Sequence, residues 1–359
     1  MASLPDSSTV TLFLLSRVRS LGVSLFLVNP TAFLRFTLAA LLGVSLATAA
    51  ESAAPATSNA SAVSGKGPGK APKGPRPDFW AGTLNFGGAF NNRGIDGFKH
   101  ASLVSRTINF KGASKTEIGY TVYLPPSYAT SGKRYPVLYF LHGLGGNENT
   151  VAPVVEKAHA LITKNELPPF IIVSAATGRG FYGNQFEGRL QIHDFYIGEF
   201  IPHIDQTYRS KSDRRHRHIA GFSMGGYGAL MYALKHLDLF GTATDIGGAL
   251  GAARSNGWKE MYDAKEEHYR PFDLHKLTDD HLGRLKQGDL RLAIWIGSED
   301  IVKGANVQYH AQLKEKGVNH SYNDWNNRPQ LLGVGHQLPR YFELYGKEIL
   351  QFHTEAFEK

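Results

Sequence analysis

From Tyr135 onward the chain alternates short apolar runs with longer amphipathic stretches. Tyr135 to Leu141 (Y-P-V-L-Y-F-L) is almost continuously apolar, the pattern of a strand covered on both faces. Phe170 to Ser174, Arg217 to Phe222, Gly241 to Ile246 and Leu290 to Ile296 repeat that pattern. Ser102 to Phe110 and Ile118 to Leu124 read as two earlier strands. Pro125-Pro126 closes the second, since proline cannot donate to a strand ladder. Ser321 to Trp325 reads as a last strand. Between these runs the spacing is helical. Ile192 to Tyr208 sets Phe195, Ile197, Phe200, Ile201 and Ile204 on one face. Gly225 to His236, Asn306 to Lys316 and Pro339 to Phe352 follow the same rule. Strand–helix alternation predicts an α/β fold with a mostly parallel central sheet and helices on both faces. Residues 250–288 are polar and break the rhythm, as an insertion over the functional site or a helical excursion would.

The first 77 residues follow another pattern. Phe36 to Ala50 is uncharged and mostly apolar, is preceded by Arg35, and ends in Ala47-Thr48-Ala49, an A-x-A type cleavage site. A second apolar stretch, Leu21 to Val28, lies upstream. Each is shorter than the roughly 20 residues of a spanning helix, and Asn29-Pro30 and Arg35 interrupt them. The expectation is export, to a secreted or periplasmic location, without stable membrane insertion after cleavage. Residues 51–77 are rich in Ala, Ser, Gly, Pro and Lys and nearly devoid of large apolar side chains, which predicts a flexible linker. The expected organisation is a leader over 1–50, a linker over 51–77 and one catalytic domain over 78–359, its folded part beginning near Phe79-Trp80.

Charge sharpens this picture only slightly. The net charge is +8, and seven basic against two acidic residues place +5 of it in residues 1–77. One basic run remains, Arg209 to His218. It lacks interleaved aromatic residues and reads as a solvated turn before a buried strand, so no nucleic-acid partner is expected. The absence of cysteine rules out a disulfide framework and a thiol nucleophile.

Chemistry enters at Gly221-Phe222-Ser223-Met224-Gly225, a G-x-S-x-G pentapeptide. By itself the match is weak. Its setting strengthens it, because it follows an apolar strand and opens a helix, the arrangement of a nucleophile elbow with Ser223 as nucleophile. Attack on an ester creates an oxyanion that needs preplaced N–H donors. The backbone N–H of Met224 is one candidate. His142-Gly143-Leu144-Gly145-Gly146 follows an earlier strand and supplies the other, the N–H of Leu144. His142 itself reads as a structural histidine holding that loop. The order serine, acid, histidine then selects the partners. His336 lies in a glycine-flanked loop before the last helix and reads as the base. His320 reads as locally bonded, and His353 lies deep in the final helix. Asp300, ending Gly297-Ser298-Glu299-Asp300 after a strand, reads as the acid that fixes the imidazole tautomer. Glu299 beside it cannot reach the same point, and Asp245 after the preceding strand is the rival.

These residues resemble the putative-esterase family of α/β-hydrolases. That group includes feruloyl and acetyl-xylan esterases, esterase D (S-formylglutathione hydrolase), enterochelin esterases and mycolyltransferases. The resemblance runs over most of 118–355. It is carried by Tyr123-Leu124-Pro125-Pro126, by L-H-G-L-G-G at 141–146 and by F-I-P-H-I-D at 200–205. It continues through R-H-R-H-I-A-G-F-S-M-G-G-Y-G-A-L at 215–230, G-S-E-D at 297–300 and G-H at 335–336. The resemblance implies an α/β-hydrolase fold, ester hydrolysis by Ser223, His336 and Asp300, donors at Leu144 and Met224, and neither metal nor organic cofactor. Gln337-Leu338-Pro339 departs from the acidic residue and nearby tryptophan of many relatives, and Phe222 stands where the S-formylglutathione hydrolases usually carry histidine. With export, this points to acyl groups of acetyl or feruloyl type on sugars. The alternatives are an acyltransferase of the mycolyltransferase kind, an S-formylglutathione hydrolase-like thioesterase and a catalytically silent carbohydrate-binding relative. Phe181, Tyr182, Phe186, Trp258 and Trp325 are candidate pocket aromatics, though each also suits a core.

Overall fold

The computed structural model describes residues 90–108, 116–185, 190–251 and 265–357. The expected leader and linker, the Phe79-Trp80 start, Phe186 and Trp258 lie outside the described residues.

Eight strands form one sheet: β1 (Phe98–Ser105), β2 (Thr116–Tyr123), β3 (Val137–Leu141), β4 (Ile171–Ala175), β5 (Arg217–Phe222), β6 (Thr242–Ile246), β7 (Arg291–Trp295) and β8 (Ser321–Asn323). Their spatial order is β1-β2-β4-β3-β5-β6-β7-β8. β2 runs antiparallel to both neighbours, and from β4 to β8 all pairs are parallel. This is the α/β-hydrolase architecture.

The apolar runs fold this way because their alternate side chains enter two different cores. Val137, Tyr139 and Leu141 of β3 face one core, while Leu138 and Phe140 face the other. β7 divides likewise, with Leu292 and Ile294 opposite Ala293 and Trp295. Helices Ala152–Thr163 and Leu338–Thr354 cover the second core through Val154, Val155 and Ile349. Helices Met224–Lys235 and Lys303–Glu315 cover the first, through Leu230 and Tyr309.

Two elements differ from the pattern-based expectation, and the 250–288 stretch takes one of its two expected forms. β1 begins four residues earlier than Ser102 and ends at Ser105. Its register against β2 runs from Phe98–Tyr123 to Ser105–Thr116. Ser105 Oγ then accepts the N–H groups of Thr107 and Ile108, turning the chain out of the ladder. The helical stretch after Ile192 is not uniform. It runs as Ile192–Phe195, a π turn Tyr196–Phe200, and Ile201–Thr207. Pro202 has no N–H for the carbonyl of Gly198, four residues back and inside the π turn. The described part of the 250–288 excursion is helical, with Glu266–Tyr269, Leu274–Asp280 and Leu282–Lys286. Leu274, Leu277 and Leu285 bury themselves in the first core, and Tyr227 donates its hydroxyl to the Phe272 carbonyl.

The parallel strands end at one edge of the sheet. There β3 delivers the loop His142–Gly146, β5 delivers Ser223 and β7 delivers Gly297–Asp300.

Candidate active site

Ser223 links β5 to helix Met224–Lys235 with φ 58° and ψ −117°. A non-glycine residue in that region is strained, and such strain concentrates at functional turns. The unusual φ thus falls on the serine, not on its flanking glycines. Gly221 and Gly225 are required for close approach instead. A Cβ on Gly221 would lie 2.2 Å from the Gly225 carbonyl oxygen, and one on Gly225 would lie 2.0 Å from that of Leu141. The backbone of Ser223 is anchored on both sides. Its N–H donates to Ile246 at 3.1 Å, and its carbonyl accepts from Ala249 at 2.9 Å and Tyr227 at 3.2 Å.

From this turn Ser223 Oγ lies 2.8 Å from His336 Nε2. His336 Nδ1 lies 2.8 Å from Asp300 Oδ1. The carboxylate can only accept, so Nδ1 carries the proton and Nε2 is left to accept from the serine hydroxyl. Asp300 has a fully buried side chain, whereas His336 is 20% exposed. Asp300 Oδ1 also accepts the Val302 N–H at 3.0 Å, and Oδ2 accepts the Tyr341 hydroxyl at 2.8 Å. The Phe222 ring lies against the imidazole, 4.5 Å between centroids. The histidine loop is tied to the acid loop, with Glu299 N–H donating to Val334 at 3.1 Å and Gly333 N–H to Ser298 Oγ at 2.7 Å.

The rival groups take other places. Asp245 on β6 is fully buried, and burial, reinforced by the charge of Asp300, pushes its carboxyl well above the usual carboxylate range. It packs against Gly226 and Gly248, and Asp300 is the acid that accepts from His336. Glu299 is exposed. His142 is fully buried; its Nδ1–H donates to the Gly143 carbonyl at 2.8 Å, and Nε2 accepts the Thr177 N–H at 3.2 Å. Burial pushes it down to about 4, so it stays neutral. His320 bonds the Val318 carbonyl at 2.8 Å, and His353 is buried beside Thr242 at 2.6 Å.

The loop His142–Gly146 backs directly onto the elbow. A Cβ on Gly143 would lie 3.3 Å from Ser223 Cβ. Gly145, at φ 79°, and the Gly146 N–H bond to Gly143 (3.0 Å) set the turn. Among the described residues, the N–H groups of Leu144 and Met224 donate to no backbone carbonyl. The Leu144 side chain is half exposed, while Met224 is buried.

Of the candidate aromatics, Tyr182 belongs to the core, with its hydroxyl on the His142 carbonyl at 2.9 Å. Phe181 is half-buried near Tyr227, and Trp325 is half-buried beneath the Lys303 ammonium. Phe181 and Tyr182 both have positive φ, at 50° and 63°. The basic run is engaged internally: Arg217 pairs with Asp205 at 2.6 Å and Arg214 bonds the Phe240 carbonyl. Among the described residues no cluster of three or more His, Asp or Glu side chains could hold a metal ion. Sequence reasoning missed Tyr341, which looks like an ordinary core position of the last helix. The available signal was a buried tyrosine hydroxyl, which needs a partner.

Comparisons with known proteins bear on the family and the fold. The family model described as "Putative esterase" matches residues 112–328, well over half of the chain. An esterase of Mycobacterium tuberculosis is 36% identical over 143 residues, covering 39% of this chain and 31% of the relative. An endo-1,4-beta-xylanase/feruloyl esterase of Xylanibacter ruminicola is 39% identical over 137 residues, covering 33% and 18%. The chain thus spans about a third or less of the length of these curated relatives. Among solved structures, a ferulic acid esterase superposes with a TM-score of 0.60 at 24% identity, over 72% of this chain and 98% of that one. A fluorophosphonate-binding serine hydrolase of Staphylococcus aureus gives 0.58 at 20% identity, over 73% and 98%. At these identities the likeness is one of fold.

Proposed function

The chain belongs to the putative-esterase family of α/β-hydrolases, and from that premise we propose that it cleaves carboxylic esters through an acyl-enzyme on Ser223. The observation that carries this reading is the unbroken series Ser223–His336–Asp300, with both links at 2.8 Å. His336 Nε2 takes the hydroxyl proton as Oγ attacks the ester carbonyl. Asp300 stabilises the imidazolium that forms. The negative charge on the former carbonyl oxygen is taken up by the N–H groups of Leu144 and Met224, which among the described residues donate to no backbone carbonyl. Collapse expels the alcohol, which takes the proton from His336. Water then repeats the sequence on the acyl-enzyme, and no metal or organic cofactor enters any step.

Within that chemistry, the substrates we favour are acetyl or feruloyl esters of sugars. Support comes from the feruloyl esterase activity in the name of one relative and the ferulic acid esterase fold. The leader-like sequence of residues 36–50 adds a secreted or periplasmic location, where acylated polysaccharide is met. No helix among the described residues is long and apolar enough to cross a membrane. The discriminating experiment compares kcat/KM on p-nitrophenyl acetate, methyl ferulate, p-nitrophenyl octanoate and S-formylglutathione. Highest values on the first two are expected. A preference for the long-chain ester or the thioester would overturn the substrate assignment, and silence on all four would overturn the activity. For the location, N-terminal sequencing of the exported protein should find cleavage after Ala49 or nearby.

A further inference from the structure

The hydroxyl of Tyr341 sits between two groups at the catalytic edge. Its oxygen accepts the Gly297 N–H at 2.8 Å, and its proton goes to Asp300 Oδ2 at 2.8 Å. Tyr341 is fully buried on helix Leu338–Thr354, five residues after His336. The same side chain thus joins the end of β7 to the acid and to the helix that follows the base. The other oxygen of Asp300 is occupied by His336 Nδ1–H and Val302 N–H. Turning about the Cβ–Cγ bond would carry both oxygens off their donors, and the Tyr341 hydroxyl on Oδ2 adds to the two donors on Oδ1 a third hold against that turn. We propose that Tyr341 is a positioning residue, fixing the orientation in which Asp300 accepts from His336 and drawing off part of its charge. This inference rests on the reading of Ser223, His336 and Asp300 as a triad.

The surroundings support a donating phenol. Burial first, and then the charge of Asp300, push its ionisation upward, so it keeps its proton. The other ionisable groups around Asp300 do not compete for its oxygens. Asp245 on β6 is buried, and burial, then the charge of Asp300, push its carboxyl well above the usual carboxylate range. Glu299 on the same loop is exposed, and Lys303 turns its ammonium to the Ser298 carbonyl at 2.6 Å.

The test is Tyr341→Phe, assayed on p-nitrophenyl acetate across pH beside Asp300→Asn and the double variant. A hydrogen bond to a charged group is lost and the shape is kept, so kcat should fall about tenfold with KM unchanged. A less neutralised Asp300 stabilises the imidazolium, so the acid limb of kcat/KM should move up by about half a unit. In the Asp300→Asn background the substitution should have no further effect, because its action passes through Asp300. An unmoved acid limb, or equal slowing in both backgrounds, overturns the proposal. Should Tyr341→Phe fail to fold, 3-fluorotyrosine placed at position 341 keeps ring and hydroxyl. Its stronger donation should move the acid limb down, and no movement would again overturn the proposal. Ser223→Ala is the separate control: turnover surviving in that variant defeats the triad reading, whatever Tyr341 does.

Discussion

Ser223 occupies a backbone region that costs a non-glycine residue about 1–3 kcal/mol, at φ 58° and ψ −117°. The turn persists because its neighbours leave it no other course. Gly225 lies so close to the Leu141 carbonyl that a Cβ would stand 2.0 Å away. Gly225→Ala should therefore push the elbow off β3. Overpacking of this kind costs about 1–3 kcal/mol, and a displacement near 1 Å costs about a hundredfold in rate. Urea unfolding and kcat/KM measured on the same preparation check this, and a variant with wild-type values in both would refute it. At this scale the sequence was informative wherever chain order and loop position coincide. Ser223, Asp300 and His336 each sit just past a strand or in a glycine-flanked loop. The choice of Asp300 over Asp245 is settled by the hydrogen bond itself, since Asp245 lies near the end of β6 and Asp300 just past the neighbouring β7. Tyr341 was invisible because a helical tyrosine facing a core and one facing a carboxylate look alike in sequence.

The elements that bring these residues together carry opposed pH responses. His142 fastens the oxyanion loop as a neutral imidazole, pushed by burial to about 4 from an ordinary 6.5. Between those values the unfolded chain takes up a proton that the folded one refuses, so stability falls as pH drops from 6.5 towards 4. The full loss is about 3 kcal/mol. Glu148, in the short 3-10 turn Glu148–Val151 just after that loop, has a fully buried side chain that burial pushes up to about 7. Its neighbour is His100, 3.7 Å away. Its raised value makes the folded state favourable below about 4.5, and that advantage is lost as pH rises through 7. Glu148→Gln should thus stabilise the protein by about 3 kcal/mol at pH 8 and by nothing at pH 4. Denaturation midpoints of wild type and variant at the two pH values decide it, and a gain of equal size at both would contradict the assignment. The interior strands were legible because both faces are apolar. β1 was displaced because an edge strand is defined by its pairing with β2, which leaves little trace in hydrophobicity. The π turn at Tyr196–Phe200 was hidden because a helical period survives it.

For the whole molecule, the alternation of apolar runs and helices was enough to predict a parallel sheet covered on both faces. The sheet carries it through from β4 to β8, and β1 and β2 add the antiparallel edge. The proposed division into leader, linker and catalytic domain has its own consequence. A chain beginning at Asp78 should match the full chain in Tm and in kcat/KM on p-nitrophenyl acetate, and a clear loss in either would show that the preceding residues belong to the fold. The activity itself depends on one strained serine activated by one histidine. The most direct measurement is covalent labelling with a fluorophosphonate, followed by peptide mass spectrometry of the wild type, Ser223→Ala and His336→Ala. The account predicts a single adduct on Ser223, none in Ser223→Ala, and labelling slowed by several orders of magnitude in His336→Ala. An adduct on another residue, or a folded wild type that takes none, would contradict it.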